Sequence, residues 1–301
     1  MRKIKIGTRE SPLAIKQTQI VINLLQAQHG LFDYDIVGTK TLGDKLTQFS
    51  LKEIGGKGVF VKDIEAALLV GEIDIAIHSL KDMTYSLLEG LVIGAYPKRG
   101  SAFDVIIFNH PDYQLETLPA GSVIGTSSVR REMQILEQRQ DVVMKDVRGK
   151  IETRLEKLAA GAYDALVLAE AGLERLDYLK ALNYQRLSKD HFIPAIGQGI
   201  LAVECRSEDY DILDFLKPIN HLETQIAAEI EREFLGILNG NCEIPIAALA
   251  RKKAEFWQLD AFLAKNRQSV GHRLHLQSAQ PFGLGKLAAN RLLKQVAIEK
   301  P

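Results

Sequence analysis

Strand-type apolar runs alternate with helix-type periodicity along most of this chain, and this alternation restricts the fold more than any other feature. The run over 3–7 is followed by Ser11-Pro12, which predicts a helix N-cap with a first-turn proline. Apolar residues at helical spacing follow it, and the same succession restarts at 123–125. Strands that alternate with helices predict an α/β fold with largely parallel sheets.

A short internal echo indicates two such lobes. Ile6-Gly7-Thr8 recurs as Ile124-Gly125-Thr126, in each case where a predicted strand meets a predicted helix. A helix N-terminus offers free N–H groups and a positive dipole end to an anion, although ordinary strand-to-helix punctuation gives the same pattern. We expect lobe 1 to comprise 1–98 with 199–217, and lobe 2 to comprise 99–198.

The pattern changes after the second lobe. One amphipathic helix over 224–238, three strands and a closing helix predict a small α+β domain over 218–301. The apolar run 200–203 precedes this domain and is a candidate to return to the sheet of the first lobe.

Composition excludes several classes of protein. Lys plus Arg equals Asp plus Glu, 38 against 38 in 301 residues, which argues against a general nucleic-acid binder. No apolar run approaches the roughly 18 residues of a membrane span, and the N-terminus is too short and polar for a signal sequence. The two cysteines have no metal-ligand spacing. We expect a cytoplasmic protein with reduced thiols, without a metal, a membrane or a nucleic-acid partner.

Polar residues follow the predicted strand at 73–77, as His78-Ser79-Leu80-Lys81-Asp82. Ligands of open α/β sheets bind at the carboxyl ends of strands, and this end supplies a hydroxyl, an ammonium and a carboxylate. An isolated Lys-Asp pair is more often a solvated turn, and a histidine after an apolar strand is more often a core residue. His78 therefore receives no functional role.

The second lobe carries arginines at the boundaries of its predicted elements. Arginine in the first turn of a helix opposes the helix dipole, which an anionic ligand would compensate; a solvated basic face is the alternative. We expect Arg131 and Arg148 to bind carboxylates of a ligand rather than acids of the protein. The full set is Arg130, Arg131, Arg148, Arg154 and Arg175.

Two glycine-containing segments complete the candidates. Gly240 and the asparagines beside it predict a tight turn with Cys242 at its tip, before Pro245. A small buried hydrophobe is the alternative role for this thiol. The segment 55–58 lacks the spacing of a phosphate-binding loop and is interpreted as a loop that brings Lys57 to an anion.

Seven stretches, in order and over nearly the whole chain, resemble the hydroxymethylbilane synthase family, which is also called porphobilinogen deaminase. The stretches are Gly7-Thr8-Arg9-Glu10-Ser11-Pro12-Leu13-Ala14, Gly55-Gly56-Lys57-Gly58-Val59-Phe60-Val61-Lys62, His78-Ser79-Leu80-Lys81-Asp82, Gly125-Thr126-Ser127-Ser128-Val129-Arg130-Arg131, Arg148-Gly149 with Thr153-Arg154-Leu155, Pro194-Ala195-Ile196-Gly197-Gln198-Gly199, and Gly240-Asn241-Cys242-Glu243-Ile244-Pro245-Ile246.

The resemblance implies an α/β fold with two periplasmic-binding-protein-like lobes and a small C-terminal α+β domain. It implies a monomeric transferase that joins four porphobilinogen molecules head to tail into hydroxymethylbilane and releases ammonia each time. The product grows on a dipyrromethane cofactor that is attached to Cys242 through a thioether. Each pyrrole carries an acetate and a propionate, which accounts for the many arginines.

The resemblance also implies roles for individual residues. Asp82 matches the catalytic carboxylate, which faces pyrrole N–H groups and stabilises the positive charge that develops on them. The implied cofactor-binding residues are Asp44, Lys57, Ser79, Lys81, Thr126, Ser128, Arg130 and Arg131. The implied substrate-binding residues are Arg9, Ser11, Arg148, Arg154 and Arg175.

Two departures from the family pattern keep alternatives open. Glu53 stands where lysine is usual and Phe103 where arginine is common, so both remove positive charge. One alternative is a family member that has lost activity. The other is a non-catalytic two-lobed protein that binds an organic anion, which would have no use for Cys242.

Overall fold

The computed structural model describes residues 2–39, 61–238 and 244–298. Asp44, Glu53, Lys57 and Cys242 lie outside the described residues. In chain order the elements are β1 (Ile4–Arg9), α1 (Pro12–His29), β2 (Tyr34–Thr39), α2 (Lys62–Leu69), β3 (Ile75–Ser79), β4 (Leu91–Ala95), β5 (Asp104–Phe108), β6 (Val123–Gly125), α3 (Val129–Gln138), β7 (Val143–Lys145), α4 (Ile151–Ala159), β8 (Ala165–Ala169), α5 (Glu170–Arg175), β9 (Tyr184–Arg186), β10 (Leu201–Arg206), α6 (Tyr210–Leu216), α7 (Leu222–Ile237), β11 (Ile246–Lys253), β12 (Phe256–Leu263), β13 (His272–Ser278) and α8 (Leu284–Ile298).

The chain divides into two compact units. Unit 1 comprises Met1–Gly100 with Ile200–Ala228, and unit 2 comprises Ser101–Gly199 with Glu229–Pro301. In the described part of the chain, no helix combines the length and the apolar character that a membrane crossing requires.

Unit 1 is built on a five-stranded sheet in the order β2-β1-β3-β10-β4. Strand β1 runs parallel to β2 and β3, whereas β10 runs antiparallel to β3 and β4. The expected return of the run 200–203 to this sheet is therefore confirmed. Ile6, Ile75 and Val203 are fully buried in the core that this sheet shares with α1 and α6.

Unit 2 repeats this topology in a five-stranded sheet of order β7-β6-β8-β5-β9. Strand β6 runs parallel to β7 and β8, and β5 runs antiparallel to β8 and β9. The expectation of largely parallel sheets is therefore confirmed, although one inserted strand in each sheet runs against the others. Strands β5 and β10 directly follow the points at which the chain changes units, and an antiparallel strand needs no crossover helix before it.

The C-terminal part of unit 2 is a three-stranded antiparallel sheet, β11-β12-β13, covered by α8. Phe262 is fully buried in a cluster that includes Met133 of α3 and Ile193. The predicted fold class is confirmed, with two α/β lobes of like topology and a small α+β domain at the C-terminus.

Two elements were not predicted from the sequence. Strand β9 has three residues, none of them fully buried, and so has no visible periodicity. Helix α6 is short, and its N-cap is Asp209, whose carboxylate accepts a hydrogen bond from the backbone N–H of Ile212 at 3.3 Å.

Candidate active site

The carboxyl ends of β1 and β3 in unit 1 open into a cleft of about 470 Å³, measured with its open mouth. Asp82 lies at the end of a short 3₁₀ turn, Leu80–Asp82, that follows β3 directly. The side chains that line the cleft include those of Arg9, Ser11, Gln17, His78, Ser79 and Asp82. The sheet therefore brings together four predicted site residues that are separated in sequence.

The turn that carries Asp82 is anchored on its apolar side. The backbone N–H of Leu80 donates to the carbonyl oxygen of Ile200 at 3.0 Å. Leu80 and Met83 are buried in one cluster with Ala202 of β10. Asp82 itself is half-buried and faces the cleft, so its carboxylate is presented by a fixed backbone. Lys81 is also half-buried and makes contacts of its own.

Gln17 is a cleft residue that the sequence analysis missed. Its side-chain amide donates a hydrogen bond to the Oγ of Ser79 at 3.0 Å, and only 4% of the residue is exposed. Gln17 lies on the buried face of α1 with Ala14 and Val21. A polar residue on that face was the available signal. Ser11 caps the same helix, because its Oγ accepts from the N–H of Ala14 at 3.2 Å.

Thr126 and Ser128 lie where β6 meets α3 in unit 2. Ser128 is the N-cap of α3, and its Oγ accepts from the backbone N–H of Arg131 at 3.4 Å. The Oγ1 of Thr126 accepts from the N–H of Ser128 at 3.2 Å. Both hydroxyl oxygens therefore take part in the turn that starts the helix, and each hydroxyl retains its own proton for donation.

Asp104, at the start of β5, compensates the two arginines in the first turn of α3. Arg130 donates to one carboxylate oxygen at 2.7 Å, and Arg131 donates to the other through Nε at 3.0 Å and Nη2 at 2.8 Å. The expectation that Arg131 would not bind an acid of the protein is therefore wrong. The helix start brings both guanidinium groups onto a carboxylate that is 1% exposed.

The two arginines lower the pKa of Asp104. Burial by itself would raise the pKa, but the charges of Arg130 and Arg131, with hydrogen bonds from Arg130 and Gln198, hold it well below its usual range. Asp104 was missed in the sequence analysis. A carboxylate at the head of the apolar run 104–108 was the signal that it has a buried cationic partner.

Further cations gather around Arg131. Arg154, in α4, is half-buried, and its Nε donates to the carbonyl oxygen of Gly149 at 2.8 Å. Burial, together with the smaller effects of the neighbouring charges of Arg131 and Arg148, lowers the pKa of Arg154 to about 10. Arg148 is exposed at the end of the loop before α4. The sequence-predicted residues Arg131, Arg148 and Arg154 are thus electrostatic neighbours.

Arg175 ends α5 and is held by a backbone carbonyl. Its Nη2 donates to the carbonyl oxygen of Gly199 at 2.8 Å, and burial lowers its pKa to about 10 against the opposing charge of Glu174. Its pKa shift is caused by burial and Glu174, whereas that of Arg154 includes Arg131 and Arg148, so Arg175 is not part of the group around Arg131.

Positive charge is concentrated around Arg131 in unit 2. Asp104 offsets only one of the two arginines that it binds, and Arg148 and Arg154 add positive charge beside Arg131. Guanidinium groups recognise carboxylates through paired N–H donors. Among the described residues, no cluster of His, Cys, Asp and Glu has the arrangement of a metal site.

These features define a two-lobed α/β protein with a polar cleft in one lobe and a cluster of arginines in the other. The family model described as "Porphobilinogen deaminase, dipyromethane cofactor binding domain" matches residues 4–214, and the model described as "Porphobilinogen deaminase, C-terminal domain" matches 225–294. The chain belongs to the porphobilinogen deaminase family.

Curated relatives in the same family match this chain over nearly their full length. The porphobilinogen deaminase of Streptococcus sanguinis is 46% identical over 304 residues, which cover 100% of this chain and 99% of the relative. That of Listeria monocytogenes is 45% identical over 98% of this chain and 96% of the relative. The predicted family, enzyme class and dipyrromethane cofactor are confirmed by these matches, and they favour the enzyme over the non-catalytic binding protein.

Solved structures resemble the chain more distantly. The second substrate-binding domain of a putative amino acid ABC transporter from Streptococcus pneumoniae has a TM-score of 0.45 and 13% identity, over 77% of this chain and 96% of that one. A probable amino-acid ABC transporter extracellular-binding protein from Bacillus subtilis has a TM-score of 0.44 and 10% identity, over 79% of this chain and 97% of that one. The assignment to the porphobilinogen deaminase family rests on the two family models and the curated relatives, not on these solved structures.

Proposed function

We propose that this chain joins four porphobilinogen molecules into hydroxymethylbilane with Asp82 as its catalytic carboxylate and the arginines as ligands for pyrrole carboxylates. The observation that carries the proposal is the clustering of Arg131, Arg148 and Arg154 in a chain of this family. Guanidinium groups bind carboxylates through paired N–H donors, so three neighbouring arginines suit a ligand that carries several carboxylates.

Asp82 acts on the reacting pyrrole. As ammonia leaves the aminomethyl group of the substrate, positive charge develops on the pyrrole nitrogen. A carboxylate that accepts the pyrrole N–H lowers the energy of that charge, and it does so without reorganisation because the Leu80–Asp82 turn is anchored. Arg9 and Ser11 line the same cleft and bind substrate carboxylate.

The other site residues bind the substrate and the cofactor through charge and hydrogen bonding. We assign substrate carboxylates to Arg148, Arg154 and Arg175 in unit 2. The dipyrromethane group, when bound, supplies the free pyrrole carbon to which the substrate is joined. The donor set fits this carboxylate-bearing group, because apart from Asp44 it consists of arginines, lysines and hydroxyls. The residues assigned to hold the group are Asp44, Lys57, Ser79, Lys81, Thr126, Ser128, Arg130 and Arg131, with Cys242 as its attachment point.

The proposal extends to organisation and location. We assign lobe 1 to 1–98 with 199–217, lobe 2 to 99–198, and the cofactor-bearing domain to 218–301. The chain works as a monomer in the cytoplasm, without a nucleic-acid or membrane partner. Equal numbers of basic and acidic residues, 38 of each, support the absence of a nucleic-acid partner.

Ammonia release tests the proposed function against the binding protein. Purified protein incubated with porphobilinogen should release one ammonia per substrate consumed and yield a linear tetrapyrrole. A protein that binds porphobilinogen without releasing ammonia would support the non-catalytic alternative. The same result, with a dipyrromethane adduct present, would support a family member that has lost activity.

A further inference from the structure

The segment 194–199 of unit 2 folds into a tight turn. The backbone N–H of Gln198 donates to the carbonyl oxygen of Ala195 at 3.0 Å and closes the turn. Gly197 lies within it at a φ of 72°, a backbone conformation that strains residues with a side chain. The turn therefore requires glycine before Gln198. It directs the side chain of Gln198 into the interior of the unit, where the residue is 1% exposed.

Gln198 binds the carboxylate that holds Arg131. Its side-chain amide donates to Oδ1 of Asp104 at 3.0 Å and to the carbonyl oxygen of Ala102 at 2.8 Å. Oδ1 of Asp104 also accepts both hydrogen bonds from Arg131. Burial would raise the pKa of Asp104, but the arginine charges and hydrogen bonds that include the one from Gln198 hold it well below its usual range. Gln198 therefore fixes the oxygen of an ionised carboxylate on which the guanidinium group rests.

A buried carboxylate of α7 binds the same turn. Oε2 of Glu231 accepts from the N–H of Gly197 at 2.7 Å, and Oε1 accepts from the N–H of Ala250 in β11 at 2.9 Å. Glu231 is 0% exposed, and a carboxylate acceptor strengthens a hydrogen bond from a backbone N–H. A continuous path of hydrogen bonds and backbone therefore runs from Glu231 through Gly197 and Gln198 to Asp104.

Arg131 is held through three of its five N–H groups. Nε and Nη2 donate to Asp104 at 3.0 and 2.8 Å, and Nη1 donates to the carbonyl oxygen of Val167 at 2.9 Å. Each terminal nitrogen carries a second N–H, and the side chain is 11% exposed. Two N–H groups on neighbouring nitrogens match the two oxygens of a carboxylate. The orientation of the guanidinium group, which Asp104 sets, therefore decides where a ligand carboxylate binds.

We propose that Gln198 and Glu231 are positioning residues for Arg131, since they fix the Asp104 carboxylate that sets the direction of its two remaining N–H groups. This inference deepens the proposed function, because it rests on the assignment of Arg131 to the dipyrromethane cofactor. Both residues act through Asp104. Without their support the guanidinium group rotates away from the direction in which it binds the ligand.

Gln198→Met tests this support directly, because methionine has a similar length and volume but donates no hydrogen bond. The Nε–H of Arg131 gives a nitrogen–proton NMR signal that Arg131→Lys identifies by its loss. In the full-length protein as purified, this proton should exchange with solvent on the order of 10-fold faster in Gln198→Met than in the wild type, because its hydrogen bond to Asp104 opens more often.

Gln134→Met is the matched control. Gln134 is also fully buried, and it binds the backbone of Ile193 through its amide nitrogen at 3.1 Å and its oxygen at 2.7 Å. Among the described residues, it makes no hydrogen bond to Asp104. Denaturant unfolding should show a comparable loss of stability in both variants. Only Gln198→Met should change the exchange of the Arg131 Nε–H.

Cofactor loading tests the consequence for the ligand. Intact mass measures the fraction of purified chains that carry the dipyrromethane adduct. This fraction should fall in Gln198→Met, because a displaced binding group slows the reaction that it serves, and it should stay at the wild-type level in Gln134→Met. Glu231→Gln presents an amide N–H to one of the two backbone N–H groups that the carboxylate binds. It should therefore change both the exchange rate and the loading in the same direction as Gln198→Met.

Equal exchange of the Arg131 proton in Gln198→Met and Gln134→Met would overturn the inference, because Gln198 would then contribute only to stability. Unchanged exchange in Glu231→Gln would remove Glu231 from the path. Gln198→Asn, whose amide is one methylene too short to reach Asp104, is measured in the same way if Gln198→Met does not fold. A wild-type chain that never carries an adduct would refute the proposed function. The exchange measurement needs no ligand and would still decide the positioning role.

Discussion

At the scale of single residues, the arginines of unit 2 differ in their burial and in what they bind. Arg130 is 6% exposed and binds both Asp104 and the carbonyl of Ile193. Arg154 is half-buried and binds the carbonyl of Gly149, whereas its neighbour Arg148 is exposed. Arg131 binds Asp104 and is also an electrostatic neighbour of Arg154.

Asp82→Asn should lower kcat on the order of 100-fold or more, the usual effect of losing a preorganised electrostatic partner. Asp82→Glu keeps the charge but shifts it along the side chain, so it should lie between the wild type and the asparagine variant. Single-turnover kinetics with porphobilinogen, on enzyme shown to carry the cofactor, measure this order. Glu89→Gln, exposed in the same unit, is the control. An asparagine variant as fast as the wild type would withdraw the catalytic role.

Asp104→Asn should destabilise the protein by about 3 kcal/mol at neutral pH, because it leaves two buried arginines without their counter-charge. The lowered pKa of Asp104 gives a contribution that is present above the unfolded value of about 3.9 and lost as pH falls through the folded one. The stability difference from the wild type should therefore shrink only in strong acid. Denaturant unfolding measures it, and Asp112→Asn, an exposed carboxylate of unit 2, should show no such loss.

At the scale of the elements, both lobes repeat a glycine-containing strand that is followed by a helix. A Cβ at Gly7 would overlap the side chain of Ile73, and one at Gly125 would overlap Leu166 and Tyr163. Each glycine therefore allows its strand to approach its neighbours closely before the helix begins. Close packing therefore explains why the Ile-Gly-Thr sequence of the first lobe recurs in the second, whether or not the following helix ends bind an anion.

Arg148→Leu tests the loop that precedes α4. We expect impaired cofactor assembly or elongation, beyond any loss of stability, because the exposed guanidinium contributes to the positive field at Arg154. Intact mass and the distribution of elongation intermediates measure the effect. Lys180→Leu, an exposed cation of the same unit, should leave both unchanged. A folded Arg148→Leu protein with normal turnover and normal intermediates would remove Arg148 from the site.

At the scale of the whole molecule, the chain has two thiols, Cys205 and Cys242, and the structure describes the first of them. Cys205 lies in β10, is 0% exposed, and burial raises its pKa to about 12 with added effects of Asp209 and Glu204. Thiolate is the reactive form of cysteine, so Cys205 is inert in the folded protein. The burial of Cys205 supports the proposed attachment of the cofactor to Cys242.

Cys242→Ser should give a folded protein without the covalent dipyrromethane group and with almost no tetrapyrrole synthesis. Cys205→Ala should keep the adduct, at a modest cost in stability from the lost packing against Gly94. Intact-mass measurement of the purified variants distinguishes the two. Loss of the adduct in Cys205→Ala and its retention in Cys242→Ser would mean that the wrong thiol was chosen.

The sequence by itself determined the order of the elements, the two-lobed repeat, the family and most candidate site residues. These features depend on local signals, such as apolar periodicity, N-caps at Ser11 and Ser128, and short motifs. Only the tertiary structure decided that β5 and β10 run antiparallel, that Asp104 binds Arg130 and Arg131, and that Glu204 reaches His78. Those partners are 26 to 126 residues apart in the chain. A sequence pattern cannot pair them, because strand order and burial set which distant charges meet, and both arise only when the sheets have formed.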